Sequence, residues 1–209
     1  MASTLSNKVL GDALLPSEGT ALWIKRAVMI VAGVAALWLS AKKKIALEPV
    51  PVTLQVLVVM SIGMAYGFRM GVATLVAYLA LGAAGEPVFA GTPEKGVGLA
   101  YMLGATGGYL VGFVGAAGVV GWLAERGWDR SILTTALAMV IGLVVLYVPG
   151  VLWLAYGFPL LPAFAEFNGF GIAKGIEWGV FPFLWIDAIK LAVAVIAFPA
   201  IWRLVGDAR

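Results

Sequence analysis

Apolar runs, each closed by a short cluster of polar or charged residues, divide this chain almost from end to end. The first extends from about Leu22 to Ser40, is entered through Lys25 and Arg26, and is closed by Lys42, Lys43 and Lys44. A second covers about Val52–Phe68 and ends at Arg69. A third, about Met70–Ala84, is short and stops at Gly85-Glu86-Pro87, a strong helix break. The fourth, about Gly98–Ala124, is rich in glycine and gives way to the charged stretch Glu125–Arg130. A fifth covers about Ser131–Tyr156, and the last about Glu177–Trp202. A bilayer core of ~30 Å takes about 20 helical residues to cross. A membrane β-barrel would instead alternate apolar and polar residues in segments of roughly ten, and no such alternation is present. The pattern predicts an all-α integral membrane protein: a six-transmembrane-helix bundle in one domain over residues 22–205, preceded by a polar tail, 1–21. Loops are expected at 85–97 and 157–175. The polar stretch before the first run is longer than the usual leader of a signal peptide, so that run reads as a span.

Composition supports this class. Hydrophobic residues make up 62% of the 209 positions and charged residues 12%, with a mean hydropathy of +1.01. A soluble domain of this length needs more charge to cover its surface. The chain has no cysteine and no histidine, which excludes disulfides, thiolate metal sites and every His-dependent catalytic arrangement. The pI of 9.2 does not indicate nucleic acid, because the net charge is only +3 and the basic residues sit at the ends of apolar runs. With the N-terminus inside, the inner side would hold eight Lys and Arg (Lys8, Lys25, Arg26, Arg69, Arg126, Arg130, Arg203, Arg209). The outer side would hold five (Lys42, Lys43, Lys44, Lys95, Lys174). The excess favours cytoplasmic termini.

Two charges interrupt an apolar run. Asp187 and Lys190 stand in Phe181-Pro182-Phe183-Leu184-Trp185-Ile186-Asp187-Ala188-Ile189-Lys190-Leu191. Either group costs roughly 2.5–3.5 kcal/mol at the centre of a membrane helix on insertion scales, so it faces a cavity or a partner. The i,i+3 spacing places both on one helix face. Two readings follow: a self-neutralising clamp between helices, or a site for a polar or ionised small molecule. Gly104, Gly108 and Gly112, and again Gly63, Gly67 and Gly71, repeat at spacing four and let another helix or a ligand approach the backbone. Ala32 and Ala36, extended by Ser40, form a small-residue stripe on the first span. No G-x-x-x-x-G-K-[ST] phosphate loop is present, so the chain does not hydrolyse ATP. Acid dyads and activated nucleophiles lack parts, and neither catalysis nor a cofactor is expected.

Four segments in order carry a resemblance: Pro49-Val50-Pro51-Val52-Thr53-Leu54-Gln55; Gly85-Glu86-Pro87-Val88-Phe89-Ala90-Gly91; Thr106-Gly107-Gly108-Tyr109-Leu110-Val111-Gly112-Phe113; and the Asp187/Lys190 pair. Together they resemble the biotin-specific substrate-binding (S) component of energy-coupling-factor (ECF) transporters, the BioY family. That family usually carries Pro where Ala105 stands and Gly where Ile186 stands. The resemblance implies an S-component bundle in the bacterial inner membrane with a pocket toward the outer face. The ligand would be biotin, and the partners a transmembrane coupling subunit and two ATPase subunits. It implies a site built from Asp187, Lys190, Tyr109, Thr106, Phe89, Gly91 and Trp185. Asp187 would accept from the ureido N–H groups, Lys190 would donate to a ligand oxygen, and the aromatic rings would enclose the bicycle. Ala32 and Ala36 would dock on the coupling subunit, and the lysine triplet 42–44 is placed to attract the ligand carboxylate or simply to end a helix. An S component for another vitamin, a stand-alone secondary transporter and a structural scaffold are the competing readings.

Overall fold

The computed structural model describes residues 9–14, 18–157 and 169–207. Part of the long loop expected at 157–175 therefore lies outside the described residues. Among the described residues, eight helices and a two-stranded hairpin follow in order: α1 (Leu10–Leu14), α2 (Gly19–Lys42), β1 (Lys44–Ile45), β2 (Val52–Thr53), α3 (Gln55–Ala83), α4 (Gly98–Met102), α5 (Gly107–Ala124), α6 (Ile132–Tyr156), α7 (Ile172–Gly179) and α8 (Phe181–Asp207). The strands are antiparallel, with Lys44 opposite Thr53 and Ile45 opposite Val52. Among the described residues, five helices are long and apolar enough to cross a membrane: α2, α3, α5, α6 and the continuous α7–α8 stretch.

α3 contains both the second and the third apolar runs, and it is not straight. Gly67 has φ +78° and ψ −179°, a region that only glycine occupies without strain. A Cβ placed on Gly71 would sit 3.3 Å from the Cα of Gly63. On a continuous helix those residues would be about 12 Å apart, so the chain doubles back at Gly67. The Glu125 carboxylate accepts the Phe68 N–H at 2.9 Å and caps the returning limb.

α3, α5 and α6 form the centre of the bundle, packed in that order. Glycine makes the packing possible. Cβ atoms at Gly63 and Gly112 would come within 2.5 Å of the Ala117 and Leu146 carbonyl oxygens, and one at Gly108 within 2.3 Å of the Pro149 oxygen. Of the two glycine series, Gly63–Gly71 seats α3 on α5, and Gly108–Gly112 seats α5 on α6. Gly104 has a different role, because the fourth apolar run is not one helix. The run breaks over Leu103–Thr106, where the Trp153 Nε1–H donates to the Gly104 carbonyl at 2.9 Å.

The two ends of the bundle differ. One end, here called basal, gathers α1, the α3 bend, the 125–131 turn and the end of α8. Within the tail expected over 1–21, Val9, Leu10 and Ala13 are buried against the α3 bend. The other end, called the loop end, gathers the β1–β2 hairpin, the 84–97 loop and α7. α2 packs mainly on α3 through Met29, Gly33, Leu37 and Ala41, and leaves its other faces open.

At the basal end Asp129 is fully buried. Its Oδ2 accepts the Trp202 Nε1–H, joining the 125–131 turn to α8. Its Oδ1 has no hydrogen bond among the described residues and lies 4.0 Å from the Arg130 Nε. Burial pushes this carboxyl from an ordinary 3.8 to about 6, and the Trp202 hydrogen bond opposes that only in part.

Two predictions follow from these features. Gly67→Ala forces a side chain into the +78° conformation and into the Glu125 carboxylate, 2.7 Å from the new Cβ. Strain of that kind costs about 1–3 kcal/mol, so the variant should melt several degrees lower in detergent. An unchanged melting temperature would show that the bend accepts a side chain. For Asp129, a raised folded-state pKa means that stability is present below the unfolded value and is lost as pH rises through about 6. The melting temperature should therefore rise as pH falls from about 6 toward 3.8, and Asp129→Asn should remove that part of the rise.

Candidate functional site

The polar centre of the molecule lies on the second and third turns of α8. The Lys190 Nζ donates to the Asp187 Oδ1 at 2.7 Å and to the Thr53 carbonyl of β2 at 2.6 Å. The Tyr147 hydroxyl, from α6, donates to the Asp187 Oδ2 at 2.7 Å. Asp187 and Lys190 are 1% and 7% exposed. Charges this deep persist only when they are paired and hydrogen-bonded. The network supplies those bonds by drawing together α8, α6 and the β1–β2 hairpin, which are far apart in sequence.

Both charged groups face a cavity of about 560 Å³, counting the part open to the surroundings. Small-molecule sites are mostly apolar with a few convergent polar groups. Here the polar side is the α8 pair with Tyr147, Thr53 and Gln55. The remainder is largely apolar and aromatic, with Phe89, Tyr101, Tyr109, Phe113 and Phe183 among the lining residues.

Phe89 reaches the cavity from the 84–97 loop. Its ring stacks on Tyr101 with centroids 5.2 Å apart and meets Tyr78 edge-on at 5.4 Å. Gly82 makes room for it, since a Cβ there would lie 2.0 Å from the ring. The loop is held in place by lysines of the helix-ending triplet. Lys42 donates to the Phe89 and Thr92 carbonyls at 3.1 and 2.8 Å. Lys44 donates to the Ala90 carbonyl at 2.8 Å and lies 3.6 Å from Glu94. A buried relay supports the same loop from below: Gln55 Nε2 donates to the Tyr78 hydroxyl, which donates to the Val88 carbonyl, both at 2.9 Å. Tyr109 donates to the Gly179 carbonyl at 2.8 Å, tying α5 to the end of α7.

Of the residues expected at the site, Phe89, Thr106, Tyr109, Asp187 and Lys190 line the cavity. Trp185 does not. It is 78% exposed, because two helical positions before Asp187 amount to a turn of about 200°, which points it out of the bundle. Gly91 is also absent from the lining. Its N–H donates to the Tyr101 hydroxyl at 3.1 Å, and a side chain there would strike the Tyr101 ring at 2.7 Å, so it supports the wall from behind. Lys42 and Lys44 bind the loop rather than standing free for a ligand. On α2, Ala32 is exposed and Ala36 half-buried, beside the inward Gly33 and Leu37, while Ser40 turns inward. Sequence reasoning missed Tyr147, Tyr101, Phe113 and Phe183 as individual lining residues. Tyr147 carried a faint signal as the one hydroxyl in the long middle of the fifth run, between Thr135 and Tyr156. Gln55 stood inside a recognised segment, and its polarity in an apolar run was a usable sign.

The BioY family model matches residues 11–207 of this chain. A biotin transporter BioY from Thermotoga maritima is 38% identical over 173 residues, covering 83% of this chain and 90% of that protein. A probable biotin transporter BioY from Pyrococcus horikoshii is 36% identical over 172 residues, covering 82% and 93%. Among solved structures, a crystal structure of the S-component for biotin from an ECF-type ABC transporter matches with a TM-score of 0.68. That match covers 90% of this chain and 95% of that one at 19% identity, a likeness of fold. The chain is a member of the BioY family.

Proposed function

We propose that this chain captures biotin in the loop-end cavity and serves as the membrane substrate-binding subunit of an ECF-type uptake transporter. The observation that carries the reading is the Asp187–Lys190–Tyr147–Thr53 network facing an otherwise aromatic cavity. A clamp serving only to hold helices together would have no reason to border open space. Biotin offers two ureido N–H donors and a carbonyl on an apolar bicycle, with a carboxylate at the end of a flexible chain. The Asp187 carboxylate keeps lone pairs beyond those taken by Lys190 and Tyr147, and the Lys190 ammonium keeps a donor beyond those given to Asp187 and Thr53. The pair can therefore bond a ligand without giving up its own contacts, and charge-assisted bonds of this kind are the stronger class. Phe89, Tyr101 and Tyr109 supply faces for the bicycle.

The reversal at Gly67 supports counting the limbs of α3 as separate passes, which makes six and puts both ends of the chain on one side. Arg69, Arg126, Arg130 and Arg203 gather at the basal end, which supports placing it in the cytoplasm of a bacterial inner membrane. The cavity then opens outward. The sequence has no phosphate loop, so energy would come from two ATPase subunits through a coupling subunit. The open face of α2, with Ala32 and Ala36, suits close approach of a partner helix.

Calorimetry on the purified chain in detergent, without nucleotide, should show saturable biotin binding. Asp187→Asn should weaken it about 30-fold or more, since truncating one member of a buried charge pair costs about 2–5 kcal/mol. No biotin heat from the parent chain would sink the reading; binding of another vitamin instead would leave capture standing and change the ligand. Tyr147→Phe removes one hydrogen bond to the carboxylate, worth about 1.5–3 kcal/mol for a charged acceptor. Its biotin affinity should fall about tenfold or more, by less than in Asp187→Asn. A Tyr147→Phe chain that binds biotin as tightly as the parent would remove Tyr147 from the recognition network.

A further inference from the structure

A second cleft lies at the opposite end of the molecule from the biotin cavity. It occupies about 570 Å³, counting the part open to the surroundings, and is lined by Val9, Asp12, Lys25, Arg26, Met29, Tyr66, Arg69, Met70 and Glu125. α1, the early turns of α2, the α3 bend and the end of α5 meet there. Three cations and two carboxylates face it, and the carboxylates already have partners. Asp12 pairs with the Lys25 Nζ at 2.9 Å, and the Lys25 side chain is only 7% exposed. Glu125 accepts the Phe68 N–H. The two arginines remain. Among the described residues Arg69 has no hydrogen bond or ion pair, and Arg26 has only the Trp23 ring, with its guanidinium carbon 5.2 Å from the centroid.

We infer that this cleft binds the phosphate of an anionic phospholipid in the leaflet at the basal end. Two guanidiniums on different elements can each present a planar fork of donors, the geometry that fits phosphate oxygens. Lys25, its charge already met by Asp12, leaves the two guanidiniums as the unpaired cations of the cleft among the described residues. The depth is that of headgroups. Trp23 and Trp122 stand 69% and 46% exposed at this end, as aromatic residues do at a membrane–water interface. Arg126 lies over the Trp122 ring at 3.4 Å. Next to the cleft, Ile24, Val28 and Val31 on α2 are exposed and apolar, a track along which acyl chains would run. Basic pockets between membrane helices are suited to such headgroups. The inference requires only that the chain spans a bilayer and does not depend on what the other cavity holds.

Native mass spectrometry of the delipidated chain, offered phosphatidylglycerol and phosphatidylcholine in equal amounts, tests it directly. Adducts of phosphatidylglycerol should predominate several-fold, and that lipid should raise the melting temperature by about 2–4 °C. The double variant Arg26→Gln/Arg69→Gln, with its fold checked by circular dichroism, should lose both the preference and the shift. Equal retention of the two lipids by the parent chain overturns the proposal without recourse to a variant. A shift reproduced by inorganic phosphate alone also overturns it, since the ligand would then be a free anion and not a lipid. A folded double variant that keeps the preference moves the site elsewhere and overturns it equally.

Discussion

The polar side of the loop-end cavity depends on one buried ion pair. A carboxylate and an ammonium at membrane depth are costly alone, and pairing does not by itself offset their lost hydration. Asp187 and Lys190 are held because Tyr147 and the Thr53 carbonyl take up further bonding capacity. Those partners come from α6 and from the β1–β2 hairpin, so satisfying the pair fixes the relative positions of three elements. The cavity is the space left between them. The same groups thus support the architecture and border the cavity, and this follows from their shortage: an apolar bundle has few polar groups to divide between holding helices and facing open space.

The centre of the bundle solves a different problem. With little hydrophobic drive between helices in lipid, close van der Waals contact does the work. Gly63, Gly108 and Gly112 bring α3, α5 and α6 to distances that no side chain would permit. The resulting rigidity allows two departures from helix. The chain reverses at Gly67 under the Glu125 cap, and it breaks at Leu103–Thr106, where the Trp153 indole satisfies a freed carbonyl. At each break a freed backbone group finds a partner within the protein, the Phe68 N–H at one and the Gly104 carbonyl at the other. The second places Thr106 and the start of α5 against the cavity. Lys42 and Lys44, which close α2 in sequence, secure the loop that delivers Phe89.

The basal end repeats the pattern with different chemistry. Asp129 is buried against the Trp202 indole and ties the α5–α6 turn to the helix that bears the ligand-facing pair. The same end carries the cleft lined by Lys25, Arg26 and Arg69. One end of the bundle thus encloses a largely aromatic cavity and the other a cleft rich in cations.

Much of this was legible in the chain itself. Apolar runs of spanning length dictate helices in a bilayer because the backbone has no other partner there, and a lone acid and base within one run must be functional or paired. The positions of Asp187, Lys190, Tyr109 and Phe89 at the cavity followed from those constraints together with the family resemblance. What the tertiary structure decided concerns direction and interruption. Trp185 is close to Asp187 in sequence yet points away, because helical rotation over two residues outweighs proximity. Gly91 supports a ring instead of lining the cavity. Tyr147 enters the site from the otherwise apolar middle of the fifth run, between Thr135 and Tyr156, since a single hydroxyl shows its purpose only when an acceptor on another helix faces it. Hydropathy is a property of each segment and survives in one dimension; a hydrogen bond between α6 and α8 exists only once packing has set the distance.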